Sequence, residues 1–266
     1  TISLPFKEGV LMQIFTFVLM SVLGFFAGNP ERTIAADAPV HGTFALFEVE
    51  PTWTTLSSDE KTKGVQEATA LVESFKDRIT FDSYWTYGLT TDSHFLIRLQ
   101  SPEAKINQEL LTQLAGTGLG RHLDLEFTIS GITKGLNYAP DFPDLLAQLK
   151  AAKYEGDPST YVIMIPTRKS AEWWNLSKED RVALIREHTV PTIAYLKTVK
   201  RKLFHATGLA DADFITIFET NNLEDFNNLV LALRMVKEDK YNIRLGSPTV
   251  LGTLKSWNEV GALLTK

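Results

Sequence analysis

One order of elements runs along this chain twice, and that repetition restricts the fold more than any other feature. In the first half, residues 43–50 alternate as a strand does, and 58–76 place Val65, Leu71, Val72 and Phe75 on one helical face. Residues 79–89 and 94–99 read as paired strands, 102–114 as a helix with Pro102 near its first turn, and 123–132 as a closing strand. The second half repeats this order of strand, helix, two strands, helix, strand. Residues 161–166 have a buried-strand pattern, and Ser177 to Asp180 resembles a capping box with Asp where Glu or Gln is usual. The helix that follows is expected to break near Pro191, because proline has no amide hydrogen for the helical ladder. Residues 200–207 and 213–219 are strand-like, 223–236 form an amphipathic helix, and 244–251 close the unit. A local echo supports the duplication: Gly88-Leu89 precedes Phe95 much as Gly208-Leu209 precedes Phe214. The pattern predicts an α+β fold of two duplicated ferredoxin-like units whose sheets pack or merge over one core. The expected division is a leader at 1–36, a first unit at 37–137, a linker at 138–159 and a second unit at 160–266.

Composition narrows the chemistry. The formal net charge is −5 and there is no basic tract, which argues against general nucleic-acid binding. The chain has no cysteine, so disulfides, thiolate haem ligands and cysteine-based zinc sites are excluded. Residues 10–27 are an uncharged apolar run, followed by Gly28-Asn29-Pro30 and then by Ala35-Ala36-Asp37-Ala38. Apolar core, helix breaker and small-residue site in that order predict a secretory signal peptide cleaved after Ala35 or Ala36. That would place the mature protein in the periplasm with no stable membrane association. The other reading is a single membrane anchor, since a run of this length could just span a bilayer.

The five histidines are His41, His94, His122, His188 and His205. No two of them have the close spacing of a zinc or non-haem iron site. A single histidine can hold a haem iron from one side. Spacing alone does not distinguish a ligand from a structural histidine. Arg201 follows His188 by 13 residues at the start of a strand-like run, and strand alternation turns Lys200 and Lys202 away from it.

A longer pattern discriminates better. Trp173-Trp174 comes first, then a helix carrying His188, then Lys200-Arg201-Lys202-Leu203-Phe204-His205-Ala206-Thr207-Gly208-Leu209. After these come DFIT-x-FE at 213–219, LEDFNNLV at 223–230, Val236-Lys237-Glu238, and GSPTVLGT from Gly246. This run resembles the haem-binding half of the chlorite dismutase family. The first half is similar mainly in layout and in GTFALFE, GLGRHL and ITKGLNY.

The resemblance implies a dimeric α/β-barrel arrangement and a haem b cofactor with His188 as proximal iron ligand. It implies Glu238 as the carboxylate on the far imidazole nitrogen, which fixes the tautomer and raises ligand basicity. It places Arg201 over the open iron face, where a permanently charged planar fork can hold a small oxyanion. Trp173 and Trp174 become pocket wall and haem-edge contacts, and Lys169 and Tyr138 contacts of the haem propionates. Leu245 stands where some members have a tryptophan before the Gly-Ser-Pro turn. The implied activity is decomposition of chlorite to chloride and dioxygen, with O–O bond formation. Arg201 would retain a hypochlorite-level fragment until it recombines. Chain length is similar to that of the longer members, which form pentamers. A coproheme decarboxylase-like protein is the alternative, although those members typically lack the distal arginine and are cytosolic; a non-catalytic haem binder is the third reading.

Overall fold

The computed structural model describes residues 39–134, 142–150 and 158–266. The expected leader and Tyr138 lie outside them. Both halves belong to one compact unit, Asp37–Lys266.

The first half runs β1 (His41–Val49), a short α1 (Pro51–Thr54), α2 (Ser58–Ser74), β2 (Thr80–Trp85), β3 (Phe95–Ser101), α3 (Ala104–Ala115) and β4 (Leu123–Ile132). The second runs α4 (Pro143–Lys150), β5 (Tyr161–Lys169), α5 (Ala171–Asn175), α6 (Lys178–Thr189), β6 (Val199–His205), β7 (Phe214–Thr220), α7 (Leu223–Arg234), β8 (Asn242–Leu245), β9 (Val250–Lys255) and α8 (Trp257–Leu264). Each half is a four-stranded antiparallel sheet, in the orders β4-β1-β3-β2 and β6-β7-β5-β9. Two seams merge them. At one, Ser83, Tyr84 and Trp85 pair with Lys255, Leu254 and Thr253; at the other, Ile132 pairs with His205. The result is a closed eight-stranded barrel with helices outside, to which the short β8 adds as an edge strand beside the end of β5.

Alternation sorts the strand residues between two environments. On β1, Phe44 and Leu46 point into the barrel with Val162, Met164, Phe204 and Ile217. Ala45, Phe47 and Val49 point outward into the core formed with α2, α3 and α8. The barrel interior also encloses a charged cluster. Arg98 donates to Asp82 Oδ2 from Nε at 3.1 Å and Nη2 at 2.9 Å, and its Nη1 lies 3.0 Å from Glu219 Oε1. The Tyr84 hydroxyl donates to the same Glu219 oxygen at 3.0 Å. Lys202 is 1% exposed, and its ammonium has no hydrogen-bond partner among the described residues. Burial, reinforced by the Arg98 charge and opposed by Asp82 and Glu219, pushes its pKa down to about 7.

Several boundaries differ from expectation for local reasons. The strand expected over 79–89 stops at Trp85, because a turn containing Gly88 at φ +82° returns the chain to β3. Gly208, at φ +76°, occupies the matching turn of the second half, so the sequence echo marks one turn used twice. Pro102 lies outside α3, whose N-cap is Glu103. The closing strand expected over 244–251 is two strands, β8 and β9, separated by Gly246 and Ser247 at positive φ and by Pro248, which has no N–H for a ladder. The helix α8 that follows adds to the expected order of elements. Pro191 acts as anticipated: α6 ends at Thr189 and continues as a 3-10 turn, Val190–Tyr195. The stretch expected to be a linker contains the helix α4, whose Leu145 is buried.

Candidate functional site

On the outer face of the second sheet, a cavity of about 510 Å³ opens between β5, β6 and β7 on one side and α4, α6 and α7 on the other. Its walls are largely apolar, with Leu145 and Leu149 from α4, Val182 and Ile185 from α6, and Phe214 and Phe218 from β7. Into it the fold brings His188, Glu238, Arg201, Lys169, Trp173 and Trp174 together.

His188 lies in the last turn of α6. Ser177 caps this helix by accepting from Asp180 N at 3.0 Å, and Arg181 Nη1 donates to the Trp174 and Leu176 carbonyls at 2.9 Å each. The helix start is thereby clipped to α5. Val182, Ile185 and His188 recur at three-residue intervals, so one helical face lines the cavity. Glu238 comes from the 3-10 turn Lys237–Tyr241 and is buried. Ser170 N donates to the Tyr241 carbonyl at 2.8 Å, which holds that turn against the start of α5.

Glu238 is shared. Its Oε2 accepts from His188 Nδ1, and its Oε1 accepts from the Lys169 ammonium. Burial, with the nearby Lys169 and Arg201 charges, pushes the His188 pKa down to about 4. The ring is therefore neutral at pH 7, with Nδ1–H committed to Glu238. Nε2 is left as a lone-pair donor on a side chain whose remaining 33% exposure accompanies its place in the cavity wall. Burial also lowers Lys169 to about 8, which leaves it charged at pH 7. The Lys169 ammonium sits 4.4 Å from the centre of the Trp173 ring, a cation–π contact.

Arg201 is 5% exposed, and its Nη2 donates to the Thr192 carbonyl at 3.2 Å, in the turn just beyond His188. Its neighbour Lys202 faces the barrel interior, so β6 delivers adjacent cations to opposite sides, as alternation anticipates. Trp173 is buried against Tyr241, with ring centroids 5.8 Å apart. Trp174 is 43% exposed and stacks on Phe214 at 6.4 Å. Lys169, placed by the resemblance at a propionate, has its ammonium on Glu238 in this structure.

The sequence reading missed the apolar walls. The α4 leucines had a signal, an amphipathic PDLLAQLK within the supposed linker. Phe214 and Phe218 had none, because a strand facing a cavity reads like a strand facing a core.

A neutral imidazole with one free nitrogen, apolar walls and a cavity of this volume fit a haem held from one side by histidine. Among the described residues no group of three or more His, Asp or Glu side chains could hold a bare metal ion. Fold and site together describe a closed barrel with one carboxylate-bonded histidine facing an apolar cavity on the outer face of its second sheet. The chlorite dismutase family profile matches residues 61–255. The chlorite dismutase of Ideonella dechloratans is 40% identical over 228 residues, covering 85% of this chain and 80% of the relative. A structure of chlorite dismutase from Candidatus Nitrospira defluvii with imidazole superimposes with TM-score 0.80 at 41% identity, covering 85% of this chain and 95% of that one. A haem-binding protein from Thermus thermophilus shares the fold, with TM-score 0.74 at 16% identity, covering 87% of this chain and 97% of that one. The chain belongs to the chlorite dismutase family.

Proposed function

We propose that this protein is a haem b enzyme that decomposes chlorite to chloride and dioxygen. The observation that carries the reading is the placement of Arg201 in the same apolar cavity as the Lys169–Glu238–His188 chain. When bound, the haem supplies the redox-active iron at which a Cl–O bond is broken. His188 would hold the iron through Nε2, since its Nδ1 is taken by Glu238. Glu238, accepting from Nδ1, fixes that tautomer and makes the ring a stronger donor. Lys169 balances the buried carboxylate so that its charge is tolerated. Arg201 supplies a fixed cation with several donors in a low-dielectric space, which favours a small oxyanion over water. It would hold a small oxychlorine anion within the cavity and limit its escape. Trp173 packs against Lys169 and stiffens this arrangement.

Further support comes from solved variants of the Nitrospira enzyme. They carry substitutions at two adjacent tryptophans and at an arginine, spaced as Trp173, Trp174 and Arg201 are here. The presence of Arg201 also favours chlorite chemistry over a coproheme decarboxylase-like activity. The direct test is an oxygen-electrode trace on haem-loaded protein after chlorite is added. Prompt dioxygen release is expected, and haem binding without it would reduce the protein to a haem binder.

The export and assembly readings belong with this proposal. The apolar run at 10–27 and the alanines at 35–36 support a cleaved leader and a periplasmic enzyme. Similarity to longer family members supports a pentamer. Mass spectrometry of protein from the native host should find a start near Ala36, and sedimentation of the mature protein should give five copies. A full-length cytosolic chain would overturn the first reading, and a dimer the second.

A further inference from the structure

Strand β6 presents three side chains to the cavity: Arg201, Leu203 and His205. The proposed chemistry uses only the first. His205 Nε2 is buried and has no hydrogen-bond partner among the described residues. Leaving a buried polar nitrogen unsatisfied costs roughly 1–3 kcal/mol, so such a group is expected to find its partner in whatever fills the cavity. The ring is held in place, since it meets Phe214 edge-on at 5.4 Å and its strand residue pairs with Ile132 at the barrel seam.

The surroundings specify the sign of that partner. Lys134, exposed and two residues beyond Ile132, places a positive charge close enough to act on the imidazole. Burial and this charge both hold the ring neutral. An anion beside His205 would therefore gain both a donor and a nearby cation.

Position along the strand specifies where on the cofactor the partner lies. His205 is four residues from Arg201 on the same face, roughly 13 Å along the strand. If Arg201 stands over the iron, His205 stands at the rim of the macrocycle. The anionic groups of a haem rim are its two propionate carboxylates.

We infer that His205 is a haem-anchoring residue that donates a hydrogen bond from Nε2 to a haem propionate, with Lys134 supplying supporting charge. The inference rests on the haem reading above. It can fail separately, because it concerns the carboxylates and not the iron.

The test measures binding of ferric haem b and of its dimethyl ester, whose carboxylates are masked, to the apoprotein. Wild type should prefer haem b. His205→Leu should weaken haem b about tenfold and leave the ester unchanged, collapsing the preference. Equal weakening of both ligands, or of neither, overturns the inference. Should the leucine variant not fold, two others decide. His205→Gln retains a donor and should keep most of the preference, whereas Lys134→Ala, an exposed change, should lose part of it. Full preference in Lys134→Ala together with no preference in His205→Gln would overturn the shared anion site. Failure of the wild type to take up either ligand would sink the haem reading itself.

Discussion

Lys169 and His188 are joined through a single carboxylate, with one oxygen of Glu238 on each. The three residues come from β5, α6 and the turn after α7, so the connection spans the second half of the fold. Removing the cation should leave a buried charge with only a neutral ring as partner. Lys169→Met should therefore cost on the order of 3–5 kcal/mol of apoprotein stability, measured by urea denaturation. Adding Glu238→Gln should recover much of that loss. A single variant as stable as wild type would show that the pair is not a coupled unit.

Glu238→Gln alone keeps the shape of the side chain and removes its charge. His188 then loses basicity as a ligand. Haem affinity or activity should fall about ten- to a hundredfold, and the reduction potential of the bound haem should rise. His188→Ala should abolish stable haem binding. Unchanged spectra and affinity in both variants would remove His188 from the ligand role.

Arg201→Ala should keep haem and its proximal spectrum. Loss of one charge-assisted hydrogen bond predicts weaker small-anion binding by about ten- to a hundredfold. More hypochlorite should escape, so a hypochlorite trap should protect this variant from bleaching more than it protects wild type. Arg201→Lys keeps charge but not the planar fork, and should fall between the two. Unaltered anion affinity and leakage in Arg201→Ala would end the proposed distal role.

Lys202 sets a pH dependence of stability that is independent of haem. Its folded pKa is pushed down to about 7, below the unfolded value of about 10.4. Between those values the unfolded chain binds the extra proton, so stability should rise as pH increases from 7 towards 10 and the buried amine costs most below pH 7. Denaturation midpoints of Lys202→Met, compared with wild type across that window, should lack this rise. Parallel curves for the two proteins would show that Lys202 is charged and compensated throughout.

The duplicated order of elements, the break at Pro191 and the opposite orientation of Arg201 and Lys202 were legible in the sequence. Each depends on a period of about two or 3.6 residues, or on the missing amide of proline, and these act within a few residues of chain. His188 and Arg201 could be named only through a long family motif, because a lone histidine and a KRK triplet have ordinary readings. Tertiary structure decided the rest. Among the described residues the barrel closes through a single residue pair, Ile132 with His205, at one seam. The second partner of Glu238 is 69 residues away along the chain, and the first is 50. The supposed linker forms α4 and carries Leu145 into the cavity wall. His205, one of five histidines, gained its proposed role only because its Nε2 is buried beside the cavity without a hydrogen-bond partner among the described residues. Local chemistry writes periodicity into a sequence, whereas burial and partner choice arise only when distant segments exclude water together.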